Sequence, residues 1–166
     1  GISDKTVRGY LDFLASTFMV RILPPWHENL AKRQVKSPKV YFRDSGLLHL
    51  LSGIGTLRDL LDHPRCGASW EGFALEQVLS VLDGDAYFWS THGGTEIDLF
   101  VMQGGKRWGF EFKFADAPST TRSMREGLAD LRLDRLFVIY PGDKAYALDE
   151  RIRVLRLADA VLGREA

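Results

Sequence analysis

Hydrophobic residues recur at helical spacing at the start of the chain and at strand spacing soon after it. Ser3 can cap a first helix, which has apolar residues at helical intervals from Val7 to Phe18. Short apolar segments over 19–23 and 39–42 then predict two strands, which a polar and basic connection separates. The front of the chain is therefore expected to fold as a helix followed by two strands.

A short helix follows the second strand, with Asp44 or Ser45 as its cap and Leu51 near its end. Helix, strand, basic loop, strand and helix is the element order of a winged-helix unit. The first helices of such a unit would precede Gly1. We therefore assign residues 1–52 to a partial winged helix.

The pattern changes after a connector over 53–69, and we assign residues 70–166 to a second domain. The expected elements are a helix (70–82), strands (86–90, 96–102 and 107–114), a helix opened at 118–120, a buried strand (135–140), an edge strand (153–157) and a terminal helix to about 162. This α-β-β-β-α-β order predicts an α/β sheet with helices packed on it.

The Gly-Gly dipeptide at 104–105 predicts a two-residue hairpin turn between two of these strands. If the turn forms there, Asp98 lies directly opposite Glu111, and Glu96 lies opposite Lys113. A bulge in the loop would shift the register by one residue and place the acids on opposite faces. Because side chains alternate along a strand, one face would hold Ile97, Leu99 and Val101 on the first strand and Trp108, Phe110, Phe112 and Phe114 on the second.

Two carboxylates that face each other on a sheet are destabilising unless a positive charge lies between them. Lys113 is one candidate for that charge, and a divalent cation is the other, with the carbonyl of Phe112 as a further oxygen ligand. A plain solvated face is the alternative, in which these acids reach Lys113 or an arginine such as Arg122 or Arg125.

A third acid is placed unusually on the first helix of this domain. Glu71 falls on the apolar stripe with Ala74, Leu75 and Val78, whereas Glu76 belongs to the polar face. Because acids are rarely buried without a partner, Glu71 is a candidate to join the pair on the hairpin.

Glu71, Asp98 and the sequence Glu111-Phe112-Lys113 together resemble the PD-(D/E)XK, or restriction-endonuclease-like, superfamily. Ile97 stands where the family usually has proline. The resemblance implies a restriction-endonuclease-like core and a catalytic set of Glu71, Asp98, Glu111 and Lys113. It also implies that Asp98 and Glu111 bind Mg²⁺ or Mn²⁺ for the hydrolysis of a nucleic-acid phosphodiester.

A closer resemblance covers nearly the whole chain. The segments "SPKVYFRDSGL", "WEGFALEQVL" and "GFEFKFA" are similar to the C-terminal region of a family of predicted bacterial and archaeal AAA-type ATPases. The resemblance implies an ATPase domain upstream of residue 1, since the fragment has no P-loop motif. A nucleic-acid-handling module is then expected. The alternatives are a catalytically idle binding or regulatory module, and a winged-helix DNA binder whose back half mediates assembly.

Positive charge is concentrated in the front of the chain. Residues 1–66 carry 10 Lys/Arg and 6 Asp/Glu, whereas residues 67–166 carry 12 and 16, so the two parts have opposite net charges of +4 and −4. A winged helix would place the front charges against DNA phosphates, and a solvated loop is the alternative. The candidate nucleic-acid-binding residues are Lys5, Arg8, Lys32, Arg33, Lys36 and Lys39.

Composition sets the remaining bounds. Hydrophobic residues make up 45% of the chain and charged residues 27%, as in a globular protein with a packed core. The single cysteine, Cys66, leaves no internal disulfide and favours a cytoplasmic location. The four histidines lack zinc-ligand spacing, and no apolar segment is long enough to predict a membrane span.

Overall fold

A computed structural model describes residues 1–163. The last three positions of the predicted second domain, 164–166, lie outside the described residues. The helices are α1 Asp4–Ser16, α2 Ser45–Leu51, α3 Leu57–Leu61, α4 Cys66–Leu79, α5 Arg122–Asp130 and α6 Leu157–Val161. The strands are β1 Val20–Leu23, β2 Lys39–Phe42, β3 Ala86–Ser90, β4 Glu96–Gln103, β5 Lys106–Phe112, β6 Arg135–Tyr140, β7 Tyr146–Ala147 and β8 Ile152–Arg156.

Two sheets organise the described part of the chain. β1 and β2 form a two-stranded antiparallel sheet, and the other strands form a six-stranded mixed sheet in the order β3-β4-β5-β6-β8-β7. β5, β6 and β8 run parallel, while β3, β4 and β7 join antiparallel. The expected edge strand at 153–157 is wrong in position, because β7 pairs outside β8 and makes β8 an interior strand.

Helices α4 and α5 each contribute to one of two hydrophobic clusters that involve the large sheet. α4 contributes Ala74, Leu75 and Val78 to one cluster, and α5 contributes Met124 and Leu128 to the other. The sheet strands are correspondingly rich in buried apolar residues, as expected for strands covered by helices. The mixed α/β architecture that the element order predicts is therefore confirmed at this level.

Two helix starts follow the predicted capping chemistry. The side chains of Ser3 and Asp44 accept hydrogen bonds from the first turns of α1 and α2. The predicted start of α5 at 118–120 is too early, because the helix begins at Arg122 with Thr121 as its cap. α4 departs from the prediction, since it begins at Cys66 rather than at residue 70. Within residues 1–163 no helix combines the length and the apolar character that crossing a membrane would require.

The hairpin between β4 and β5 has the predicted register. Gly104 and Gly105 both have positive φ angles, +59° and +75°, as a two-residue turn between twisted strands requires. The Cα pairing runs from Gln103–Lys106 to Leu99–Phe110. It ends one pair before Asp98 and Glu111.

A β-bulge interrupts the pairing of β3 with β4. The register shifts between Tyr87 and Trp89, so that two residues of β4, Asp98 and Leu99, lie opposite one residue of β3. As a result Ile97 packs in the cluster with α5, while Leu99 packs in the cluster with α4. The expectation that Ile97, Leu99 and Val101 share one face is therefore wrong for Ile97, while Leu99 and Val101 do lie in the same cluster. The aromatic face of β5 is also shorter than expected, because Phe114 is 45% exposed.

The basic connection between β1 and β2 packs against the large sheet. Pro25 and Gln34 form isolated bridges with Phe88 and Thr91 on and beside β3, and Trp26 packs with the cluster on the α5 side. The connection therefore does not project as a free wing over its whole length. It brings the β1–β2 sheet close to the start of β4, where the acidic residues lie.

Candidate active site

Asp98, Glu111 and Lys113 converge at the open end of the hairpin. Both acids are buried, with 6% and 4% of their surface exposed. The Lys113 Nζ atom lies 2.6 Å from Glu111 Oε2 and 3.8 Å from Asp98 Oδ2. Asp98 Oδ2 also accepts a hydrogen bond from the backbone N–H of Phe112 at 3.0 Å. The side chains that the register predicts to be close are therefore brought together, with the lysine between them.

Lys39, from β2, enters the same cluster from the front of the chain. Its Nζ atom lies 3.2 Å from Glu71 Oε1 and 3.5 Å from Asp98 Oδ1, and it contacts the carboxylate of Glu96 as well. The ammonium also lies 5.5 Å from the centre of the Phe88 ring. Glu96, which sequence analysis paired with Lys113, is therefore paired with Lys39 instead.

Glu71 lies at the border of the cluster, with 24% of its side chain exposed. It accepts a hydrogen bond of 2.6 Å from the hydroxyl of Tyr41, which is two residues beyond Lys39 on β2. Tyr41 thus fixes the carboxylate that Lys39 also contacts. Glu71 is thus connected to the hairpin acids as predicted, but indirectly, because Lys39 contacts both Glu71 and Asp98.

Glu76 was expected to be an ordinary solvated acid, and this is wrong. Its side chain is only 9% exposed and accepts hydrogen bonds from Arg21 Nη2 at 3.0 Å and Arg43 Nε at 3.1 Å. Arg21 lies on β1 and Arg43 directly follows β2, so Glu76 on α4 holds the small sheet against this helix. Helical spacing could not reveal this, because the arginines reach it only in the folded chain.

Burial and like charge dominate the electrostatics of the cluster. Burial and the nearby Asp98 raise the pKa of Glu111 to about 8. Burial also raises the pKa of Asp98, although Lys39 and Lys113 oppose the change. For Lys113 burial alone would lower the pKa, but the neighbouring Glu111 and Asp98 outweigh it and raise the pKa.

The cluster contains more acids than bases. Glu71, Glu96, Asp98 and Glu111 face two ammonium groups, those of Lys39 and Lys113, so full ionisation would leave two negative charges in excess. In addition, Glu111 Oε1 is buried and has no hydrogen-bond partner among the described residues. An unpartnered buried carboxylate oxygen beside a second carboxylate is a fitting environment for a proton or a hard cation.

The donor set suits Mg²⁺ or Mn²⁺ in its chemistry, because the oxygens of Asp98 and Glu111 are ligands that these ions prefer. Two carboxylates are nevertheless fewer than a closed protein site would need. Over residues 1–163, no group of three or more His, Cys, Asp or Glu side chains is arranged to hold a metal ion. A metal ion at this position would therefore have only Asp98 and Glu111 as carboxylate ligands from the pair.

The candidate nucleic-acid-binding residues are dispersed. Lys5 and Arg8 lie exposed on α1, and Lys39 lies in the acidic cluster rather than on the connection. Lys32 is paired with Asp130 at 2.5 Å.

The other two candidate residues, Arg33 and Lys36, lie on the connection beside an open cavity. Arg33 and Lys36 line this cavity of about 530 Å³ together with His27 and His92. The sequence pattern does not predict that these histidines lie beside the basic residues, since only the folded connection brings them together.

Two domain families match consecutive parts of the chain. The profile of one domain of unknown function, DUF8612, matches residues 1–58. That of another, DUF4143, matches residues 66–160. Lys39 and Tyr41 thus fall in the first match, whereas Glu71, Asp98 and Glu111 fall in the second.

Relatives in two mycobacteria match almost the whole chain. Uncharacterized proteins of Mycobacterium tuberculosis and Mycobacterium bovis are each 45% identical to it over 162 residues, which is 97% of this chain. The chain spans 36% of the length of each relative. No solved structure matches it significantly.

Proposed function

The chain belongs to the DUF4143 family of domains of unknown function. From its acidic cluster we propose that it is a divalent-metal-dependent phosphodiester hydrolase acting on nucleic acid. The substrate class follows from the resemblance to the PD-(D/E)XK superfamily. We further propose that the six-stranded sheet and its flanking helices are a restriction-endonuclease-like core.

One observation carries the proposal. Asp98 and Glu111 are two buried carboxylates with a lysine between them, and one oxygen of Glu111 lacks a partner among residues 1–163. A fold gains no stability from such a group, because the desolvation of each carboxylate is only partly offset. Ionisable groups whose pKa is strongly displaced and which cluster with a charged partner are typical of functional sites.

The contacts of each residue indicate the role that it would have in catalysis. Asp98 and Glu111 would hold a Mg²⁺ or Mn²⁺ ion, which when bound polarises a phosphodiester oxygen and makes a water more acidic. Lys113 stays protonated, since the two carboxylates raise its pKa. It would therefore stabilise negative charge on the phosphoryl oxygens rather than act as a base. Glu71, which is partly exposed, would accept the proton of the attacking water.

The partners proposed for this module follow from the second resemblance. An AAA-type ATPase domain in the same polypeptide would precede this chain. The exposed basic residues of α1 and of the connection would contact DNA phosphates. The length of the mycobacterial relatives is compatible with such a further domain.

A cleavage assay tests the enzymatic proposal. Single- and double-stranded DNA would be incubated with the purified protein and Mg²⁺ or Mn²⁺, with EDTA as the metal-free control. We expect metal-dependent cleavage that Lys113→Ala reduces by about 10²-fold or more, as for the loss of one charge-stabilising group. Cleavage that is the same in wild type and Lys113→Ala would come from a contaminant.

Calorimetry tests the metal role separately. Asp98→Ala should weaken Mn²⁺ binding strongly, because half of the carboxylate set is lost. Glu126→Ala is the matched control, since Glu126 lies on α5 and pairs with Arg122. Equal binding by wild type and Asp98→Ala would contradict the metal assignment.

A catalytically idle nuclease-like binding module is the second candidate function. The position of Lys39 favours it, because a lysine that contacts Glu71, Glu96 and Asp98 and offsets part of their charge removes part of the need for a metal. This alternative predicts DNA binding without cleavage, weakened as salt is raised from about 50 to about 300 mM. Binding that does not change over this range would exclude phosphate contacts.

A further inference from the structure

Lys39 connects a front unit, residues 1–58, with acidic residues of a back unit, residues 66–160. It is the first residue of β2, in the segment matched by the first family, and its carboxylate partners lie on α4 and β4, in the segment matched by the second. Its side chain is 23% exposed, so the ammonium is largely removed from water and surrounded by acids. The contact therefore joins two units through one partly buried cation.

The position of the ammonium is close to where a divalent cation would be bound. Lys39 Nζ lies 3.2 Å from Glu71 Oε1, lies 3.5 Å from Asp98 Oδ1 and contacts Glu96. Mg²⁺ needs its oxygen ligands at roughly 2.0–2.1 Å with little tolerance. An ammonium group and a metal ion that both approach Asp98 repel each other, because both are cations. Occupation of Asp98 by the one therefore opposes occupation by the other.

The small sheet that carries Lys39 is held in place by separate contacts. Arg21 and Arg43 bind Glu76 on α4, and Tyr41 donates to Glu71. Leu23 of β1 is buried in the cluster on the α4 side. Removal of the Lys39 charge would leave these contacts, so the sheet can stay docked while the ammonium is absent.

We propose that Lys39 is a built-in counter-cation which competes with the divalent metal for Asp98, so that the front unit restrains metal loading of the site. The proposal rests on the proposed metal-dependent function of the same site. A metal ion must displace the lysine, and any movement of β2 away from α4 would favour loading. Lys39 is in this sense a regulator of the site and not a group that touches the substrate.

The test measures Mn²⁺ affinity by calorimetry for wild type, Lys39→Met and Lys106→Met in the full chain. Methionine keeps much of the length and the apolar stem of lysine without its charge. Lys106 is an exposed lysine at the turn end of β5 and serves as the matched control. We expect Lys39→Met to bind Mn²⁺ about tenfold more tightly or better, in line with the loss of a full charge next to the ion. Lys106→Met should match wild type.

The outcomes separate this inference from the function on which it rests. If wild type binds Mn²⁺ and Lys39→Met binds it equally or more weakly, the inference is overturned while the metal site stands. If neither protein binds Mn²⁺ at millimolar concentration, both the inference and the proposed metal-dependent function are overturned.

The unfolding of Lys39→Met gives a second readout, which does not depend on activity. The variant removes the cation that contacts Glu71, Glu96 and Asp98, and only Asp98 keeps another, Lys113, so its cooperative melt is expected at lower temperature in EDTA. Mn²⁺ should raise its melting temperature more than that of wild type. If Lys39→Met does not fold in EDTA, recovery of a cooperative melt on addition of Mn²⁺ supports the inference, and failure to recover overturns it.

Discussion

The cost of Glu111 to the metal-free fold can be measured by one conservative substitution, Glu111→Gln. The side chain is 5% exposed, one of its oxygens lacks a partner among the described residues, and Asp98 lies nearby with the same charge. Glutamine has nearly the same shape but cannot ionise. Its carbonyl oxygen can still accept the hydrogen bond from Lys113. The substitution therefore removes the charge and little else.

The magnitude follows from the pKa of Glu111, which rises from an ordinary 4.5 to about 8 because of burial and Asp98. A group with a raised pKa in the folded state takes up a proton on folding, so stability falls as pH rises between these two values. Each pKa unit corresponds to about 1.4 kcal/mol, so proton uptake by wild type at pH 7 costs about 3 kcal/mol. Glutamine avoids this cost, but part of the advantage is lost because its amide brings N–H groups into the site that need hydrogen-bond partners. We expect Glu111→Gln to be more stable than wild type by about 1–3 kcal/mol at pH 7.

The assay is urea unfolding in EDTA at several pH values. The difference between Glu111→Gln and wild type should be near zero at about pH 4, grow through neutral pH and level off above about pH 8. Glu76→Gln is the control, because this buried acid binds two arginines and its loss should destabilise the fold. A Glu111→Gln variant that is less stable than wild type at pH 7, or a difference that does not depend on pH, would refute the reasoning.

Three further substitutions test how the fold supports the site. Arg21→Met should lower the free energy of unfolding by about 1–3 kcal/mol, measured by urea titration, since a charged hydrogen bond to the buried Glu76 is lost. Gly127→Ala should lower it by a similar amount in thermal melts, because a Cβ atom there would lie 2.6 Å from the Ile97 side chain and separate α5 from β4. Glu28→Gln should lower the free energy of unfolding at pH 7 and have less effect as pH falls below about 4.5. Burial alone would raise the pKa of Glu28, but hydrogen bonds from Trp26 and Arg107 outweigh it and lower the pKa. The carboxylate therefore stabilises the fold only while it is ionised.

The hairpin shows what local sequence determines. The Gly-Gly turn sets a register that depends only on backbone geometry, and that register places Asp98 and Glu111 at the same end of two paired strands. The lysine two residues beyond Glu111 then lies within reach of both acids. These relations involve neighbours in the chain, so they could be predicted without the tertiary structure.

The bulge opposite Phe88 shows where such reasoning stops. Alternation assigns every second residue of β4 to one face, yet the bulge turns Ile97 and Leu99 to different sides of the sheet. No glycine or proline marks the bulge within β4. Its position depends on the pairing with β3 and on the packing of α4 and α5, neither of which is readable from the local pattern.

Lys39 and Glu76 illustrate the same limit for charge. By composition Lys39 belongs to a basic loop, and by helical phase Glu76 belongs to a solvated face. Docking of the small sheet on α4 changes both, because it buries Glu76 against two arginines and places Lys39 among three acids. Long-range ion pairs of this kind join residues more than thirty positions apart.

If the acidic cluster binds a metal ion, its division between two family segments makes metal binding and docking of the small sheet mutually dependent. If Lys39 withdraws from Asp98 when Mn²⁺ binds, docking of the small sheet loses one of its ion pairs. Thermodynamic reciprocity then requires that docking weakens metal binding by the same factor as metal binding weakens docking. Hydrogen exchange at Lys39–Phe42 should accordingly become faster when Mn²⁺ is added to wild type. It should be unaffected by Mn²⁺ in Lys39→Met, where the link has already been removed. A ligand or neighbouring domain that pulls on β2 would thus act on the acidic cluster without touching it.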